Sequence, residues 1–550
     1  MKKIYLLLSV LLFSTATTFS QTAFQRVKSI LQTNCDGSGC HGGSLPGFNV
    51  NASDADLRSA LVGVSPLNPT AASKGHKLID PGYPSRSFLL RKIAHNLDND
   101  DLGLDAAEGA AMPSARPKLP DADIELVRQW ILFGATINEP SLPNGYSGIN
   151  YQNIVKYYNG EAKPRIAKPA APPVGEGFQV KMGPIFFSPR EEVEYFQKFD
   201  LNLPDTIEVT RLELFMNDES HHYILRKFLP GTKQNWPEGL VPLDVQTAFD
   251  QDKGYVMAWQ DNGDIQLPQT TAYRWEPESA LDLNFHMFNY HDSVLVGDVY
   301  LNVYTQPKGI AAYEMKSDLI PNVTLFMQPS PTTVHKFRNT WNKNNISIWS
   351  LTSHTHSRGV DYDIYTRNID GSVGMKLYEG FEKNGINYGF YDWEHPPMQI
   401  FEPMFYLDPG LYSGLIDSAK YINNTNGIMT WGFTTDREMM LYYVQYVDGD
   451  FDASTSIEEI ATLNSDEQFN VYPNPFSSNT QIHYTLDKEA DVNLEVYDLT
   501  GRKVKTFANT RFQPGKYSYT FESRESNNDA VYLIKLTING KSTFRKVVQM

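Results

Sequence analysis

Six side chains able to hold a soft metal fall in four short segments of the middle of this 550-residue sequence. They are the adjacent pair His221-His222, the single His286, the alternating His354-Thr355-His356, and Met439 at the end of Asp436-Arg437-Glu438-Met439. Imidazole ligates copper in either oxidation state and a thioether is soft enough for Cu(I), whereas zinc more often recruits cysteine or a carboxylate. The donor set therefore predicts redox chemistry at copper. Residues two apart in a strand share a face, so His354 and His356 can grip one ion while Thr355 turns away. Adjacent residues face opposite sides, so His221 and His222 can share an ion only at a strand end or a bulge. The preceding Asn217-Asp218-Glu219-Ser220 suits such an irregularity. His291 is the alternative to His286, which is preferred because it lies within a strand. Met440, facing away from Met439, is expected in the core, and His335, His395 and His483 are read as structural or solvent-facing.

A second group stands near the start, in Cys35-Asp36-Gly37-Ser38-Gly39-Cys40-His41. It resembles the attachment site of c-type cytochromes, where two thiols bond the porphyrin and the following histidine ligates iron. Four residues separate the cysteines here instead of the familiar two, with Gly37 and Gly39 making the longer loop feasible; a disulfide is the competing reading. Met112-Pro113, ahead of a helix carrying Trp130, resembles the second half of small c-type cytochromes. The resemblance implies one covalently bound haem c held by Cys35, Cys40 and His41, with Met112 as the opposite axial ligand; His76 and His95 are the alternatives for that place, read in preference as surface or core histidines. His/Met ligation raises the potential and suits electron transfer.

The elements that must position these groups follow from composition and patterning. The length exceeds one hydrophobic core. A net charge of −16, from 48 basic and 64 acidic residues, argues against nucleic acid as a partner. Residues 1–20 read as an export signal: Lys2 and Lys3, the apolar run Ile4 to Phe13, then small polar residues before Gln21. That run is too short for a permanent anchor, and no transmembrane segment is expected in the mature protein.

A helical, cytochrome c-like domain is expected over 22–140, with helices at Phe24–Leu31 and Asp123–Phe133, the latter capped by Asp121. A Pro/Ala linker follows at 141–180, richest over 160–175 and expected to be extended. Short alternating strands then predict two antiparallel β-sandwiches, jelly-roll-like, over 181–305 and 306–450. A polar linker at 451–467 leads to an immunoglobulin-like β-sandwich at 468–550.

Over roughly 185–450 the motifs resemble those of the copper type II, ascorbate-dependent monooxygenases, the family of peptidylglycine α-hydroxylating and dopamine β-monooxygenases. Ser220-His221-His222, Asn284-Phe285-His286, Ser353-His354-Thr355-His356 and Thr434-Thr435-Asp436-Arg437-Glu438-Met439 occur in that family's order. The resemblance implies two separate copper pockets: His221, His222 and His286 store an electron, while His354, His356 and Met439 form the catalytic site where O2 is used. It implies hydroxylation of a C–H bond of a small-molecule or peptide substrate, fed by an ascorbate-like reductant or another redox protein. The animal enzymes carry several disulfides, whereas this region has no cysteine. Tyr472-Pro473-Asn474-Pro475-Phe476, Val496 to Arg502 and the basic close at Arg545-Lys546 resemble the sorting domain of type IX secretion cargo. That implies passage through the type IX machinery of a Bacteroidetes-type bacterium, to the cell surface or beyond. A cytochrome-type carrier that binds copper without turnover is the alternative, and a polymer-binding surface module a further one.

Overall fold

A computed structural model describes residues 21–550 except 38–39, 44–46, 101, 115, 139–147, 243–251, 260, 381, 384–385, 388–395, 433–435, 452–468, 475, 477–478, 487, 499–502, 523–529 and 550. The export signal, His395 and most of the 451–467 linker lie outside the described residues. The chain divides into two compact units, residues 1–451 and 452–550. No helix among the described residues is long and apolar enough to cross a membrane.

The first unit begins with a helical region. Its first helix, Ala23–Cys35, opens on a capping box between Thr22 and Gln25. Phe24, Val27, Ile30 and Leu31 recur at helical spacing and are buried, so one face packs into a core shared with Ile124, Val127, Trp130 and Ile131 of the helix Asp121–Leu132. The rings of Phe24 and Trp130 sit 5.4 Å apart. Asp121 was expected as the cap of that second helix. It is instead the first helical residue after Pro120, where its charge complements the helix dipole.

Two β-sandwiches follow. In the first, a sheet built on strands Gly177–Phe187, Leu295–Pro307, Ile207–Met216 and Thr271–Trp275 faces a five-stranded sheet. The latter runs Leu240–Pro242, Glu192–Asp200, Ala280–Phe288, Ser220–Phe228 and Lys253–Trp259, in that spatial order. In the second, a sheet ordered Lys316–Pro321, Met440–Asp448, Ile346–Thr355 and Met398–Leu407 accompanies one ordered His335–Trp341, Tyr412–Tyr421, Gly359–Asn368 and Val373–Glu379. Apolar side chains from the inner faces form a separate core in this sandwich, with Met440 fully buried in it, as expected.

The Pro/Ala stretch does not act as a free spacer. Arg165 pairs with Asp298 at 2.6 Å and Asp100 at 2.9 Å, and Arg128 of the helical region pairs with Asp100 at 2.6 Å. Leu132 and Phe133 enter the first sandwich's core, while Phe186, Val294 and Val296 enter the helical core. Removing one partner from a buried charge network of this kind costs about 3–5 kcal/mol, so the helical region is docked on the sandwich.

The second unit holds a three-stranded sheet of Phe469–Tyr472, Asn479–Leu486 and Gly515–Glu522. Beside it lies a four-stranded sheet ordered Lys503–Phe512, Ala490–Asp498, Val531–Ile538 and Lys541–Val548, and both contribute to one apolar core.

Candidate metal centre and cofactor cleft

Strand pairing resolves how adjacent histidines can face one ion. Ser220–Phe228 pairs antiparallel with Ala280–Phe288, Ser220 opposite Met287 and His222 opposite His286, so the register slips at His221. The slip places the extra residue of a bulge at His221, which frees it from strict alternation. Its ring centroid lies 5.3 Å from that of His222 and 5.0 Å from that of His286. The rings of His222 and His286 are 4.9 Å apart.

The second sandwich brings His354, at the end of Ile346–Thr355, and His356, just beyond it, to the same place. Their centroids are 5.4 Å apart, and His221 lies 5.8 Å from His354 and 6.1 Å from His356. One ligand atom from each of His221, His222 and His286 can be chosen so that all lie within 4.8 Å, and the same holds for His221, His354 and His356. None of the five histidines is more than 8% exposed. Two separate pockets were expected; the five imidazoles instead form one cluster, because the sandwiches meet where their histidine-bearing strands end. Tyr273 and Ser317 hold that junction by their mutual hydrogen bond, and Gln445 donates to Tyr273 at 2.6 Å.

Carboxylates and carbonyls orient the rings. Nε2–H of His286 donates to Glu192 at 3.0 Å, leaving Nδ1 buried with no hydrogen-bond partner among the described residues. His222 donates through Nε2 to Glu194 at 3.3 Å, and His356 through Nδ1 to the carbonyl of Arg437 at 3.1 Å. In each case the opposite nitrogen can ligate a metal, the arrangement metal-binding imidazoles generally show. Burial, reinforced by neighbouring imidazoles, holds His221 and His354 well below the usual histidine range. It holds His356 at about 4. Burial also acts on His286, but its hydrogen bond to Glu192 and the charges of Glu194 and Glu192 outweigh it and raise that ring.

Met439 is buried and lines a cavity of about 380 Å³ together with His222 and His354. Tyr255, Trp259, Ile265, Leu319, Leu441 and Tyr443 supply much of its wall, so an apolar ligand fits. Glu438, fully buried, accepts hydrogen bonds from the backbone N–H groups of His356, Arg358 (3.1 Å) and Met439 (2.9 Å). Desolvation pushes its carboxyl up to about 7 against those bonds. His291 is not in the cluster; it bonds Glu219 at 2.7 Å. His335 bonds the carbonyl of Gln328, and His483 stacks on Tyr472 in the second unit.

Cys35, Cys40, His41 and Met112 line one cleft, also about 380 Å³, with Leu31, Phe48, Leu78, Phe88 and Ile93 among its apolar walls. Arg116 donates to the carbonyls of Thr33 (2.5 Å) and Asp36 (2.8 Å), tying the segment after Met112-Pro113 to the end of the first helix. His41 stacks on Phe48, centroids 4.1 Å apart. No disulfide joins Cys35 to Cys40. Burial raises the Cys35 thiol. His76 lies 3.6 Å from Glu108, and His95 bonds the Met112 carbonyl at 3.3 Å. Two thiols, an imidazole and a thioether on an apolar cleft fit a covalently attached haem.

Residues 470–550 match the family described as "Secretion system C-terminal sorting domain". The chain therefore carries a type IX sorting domain and is delivered to the cell surface or beyond by the type IX system of a Bacteroidetes-type bacterium. No curated protein matches the chain. Among solved structures, it is similar to the major capsid protein P2 of bacteriophage PM2, at 8% identity and a TM-score of 0.24, over 48% of this chain and 99% of that one. It is also similar to a β-glucuronidase of Bacteroides uniformis, at 11% identity and a TM-score of 0.14, over 43% of this chain and 32% of that one. A β-glucuronidase of Dictyoglomus thermophilum gives 7% identity and a TM-score of 0.14, over 42% of this chain and 43% of that one. Likenesses this slight carry no argument about function.

Proposed function

We propose that this secreted chain is a copper-dependent monooxygenase that hydroxylates a C–H bond of a small, largely apolar molecule with O2. One observation supports the reading above others: five buried imidazoles cluster together, and two of them, His222 and His354, line an apolar cavity with the Met439 thioether. His221, His222, His286, His354, His356 and Met439 would hold two copper ions, which supply one-electron redox chemistry and O2 activation. Cys35, Cys40, His41 and Met112 would hold haem c, which supplies one-electron transfer from an external donor.

The chain's own residues do the rest. Glu192, Glu194 and the Arg437 carbonyl orient imidazoles so that a lone pair faces the metal. Burial keeps His221, His354 and His356 neutral at ordinary pH, which ligation requires. The aromatic wall of Trp259, Tyr255 and Tyr443 binds and desolvates the substrate next to His354 and Met439.

The test is metal and haem analysis of the mature protein, followed by incorporation of labelled O2 into a panel of small organic compounds. Expected are two coppers and one haem per chain, with label in a hydroxylated product. Met439→Ile should abolish incorporation while leaving haem absorbance intact. Copper and haem without incorporation into any compound would instead support the electron-carrier reading.

A further inference from the structure

We infer that the five histidines form a single binuclear centre in which the His221 imidazole bridges two metal ions. The inference rests on the copper reading above and goes beyond it, since that reading asks only for two sites of unspecified separation.

His221 belongs to both sets of converging histidines, one with His222 and His286 from its own sandwich, the other with His354 and His356 from the second. It lies between them, 5.0 and 5.3 Å from the first pair and 5.8 and 6.1 Å from the second, by ring centroids. With His221 shared, each set offers three imidazoles, and the Met439 thioether adds a further donor beside His354. An imidazole carries nitrogens on two edges of its ring, and with metal–nitrogen bonds of about 2.0–2.1 Å it can hold two ions about 6 Å apart. Bridging removes the ring's N–H proton, which leaves to solvent as the second ion binds.

The backbone explains why His221 is the ring able to do this. His222 stays in register opposite His286 within one sheet, whereas His221 is the bulged residue. A bulge re-aims its side chain out of the ladder, here toward the histidines of the neighbouring sandwich. Ligand atoms within 4.8 Å of one another need to close by about 1–1.5 Å to reach the spacing of a four-coordinate site. That movement is within the reach of side chains alone.

The experiment loads the full mature protein with Cu(II), counts copper by mass analysis, and integrates the Cu(II) paramagnetic resonance signal. A bridged pair is spin-coupled, so wild type should hold two coppers and show far less signal than two isolated ions. His221→Ala should uncouple the ions, giving a signal that matches whatever copper it retains. His286→Ala and His356→Ala should each perturb one ion. Circular dichroism of the apo forms checks folding, and if His221→Ala does not fold, the wild-type spin count decides alone. Two coppers with the full intensity of independent ions would overturn the bridge while leaving the copper reading standing. A single copper would also overturn it. No stoichiometric copper at all would overturn the copper reading itself.

Discussion

The cleft of the helical region and the histidine cluster between the sandwiches use similar donor atoms but assemble them differently. In the cleft, three of four candidate ligands come from the seven residues Cys35 to His41, and one tie, Arg116 to the Thr33 and Asp36 carbonyls, brings the Met112 segment alongside. In the cluster the candidate ligands come from distant strands of two sandwiches, and their meeting depends on a bulge, an antiparallel register and the junction between domains. A site of the first kind is specified by a short peptide and can fail locally. A site of the second kind is specified by the whole fold, so residues that touch no ligand atom can still control it.

The largest effect that would sharpen this contrast is expected at the thiols. Replacing both Cys35 and Cys40 by serine should abolish covalent attachment, so that denaturing extraction strips all haem, while copper content stays at the wild-type value. Loss of copper in that variant would show the two regions to be interdependent.

Glu438 tests the opposite side. Its carboxylate anchors three backbone N–H groups around His356 and Met439, and loss of such support typically costs 10–100-fold in metal affinity. Glu438→Ala should weaken copper binding by about that factor in a competition titration, with the haem spectrum unchanged. Glu192→Gln, which keeps a hydrogen-bond acceptor for His286, should have a smaller effect in the same direction; equal losses in the two variants would contradict the distinction.

The smallest effect concerns the sheet behind the cluster. Asp417 is fully buried, and desolvation raises its carboxyl to about 7 although the Tyr362 hydroxyl donates to it. The folded form therefore binds the proton more tightly than the unfolded chain, whose carboxyl titrates near 3.8. Its contribution is present in full below that value and is lost as pH rises toward 7, on the order of 4 kcal/mol in all. Asp417→Asn should flatten the fall in Tm between about pH 4 and pH 7. The same slope in both proteins would assign the dependence to other groups. Ordering of the helical region, which lacks this group, should be unaffected by the change.

Much of the site was legible from residue type and spacing. His354 and His356 share a strand face because the pleat repeats every two residues, and the need for an irregularity at His221-His222 follows from the same rule. Glu192, Glu194 and Glu438 were not legible, because single acids are common and carry no spacing signal. One clue existed: Glu192 and Glu194 are two apart and so share a face, and their strand proves to pair with the one bearing His286, Glu194 directly opposite it. Nothing in the chain named that partner in advance. The anchoring of the linker was not legible for a related reason: Pro/Ala composition speaks for an extended chain, whereas Arg165 finds Asp100 and Asp298 only after folding.

The amino-acid order by itself determined the identity of the donors, the strand periodicity that pairs some of them, the Cys35–His41 motif and the sorting domain at the end. Those properties reside in short segments, where local geometry and chemical type suffice. Only the tertiary structure decided that the histidines form one cluster, that His221 stands at its middle, and that Glu192 and Glu194 hold two of the rings. Each of these depends on contacts between residues far apart in the chain, which burial and strand register select collectively.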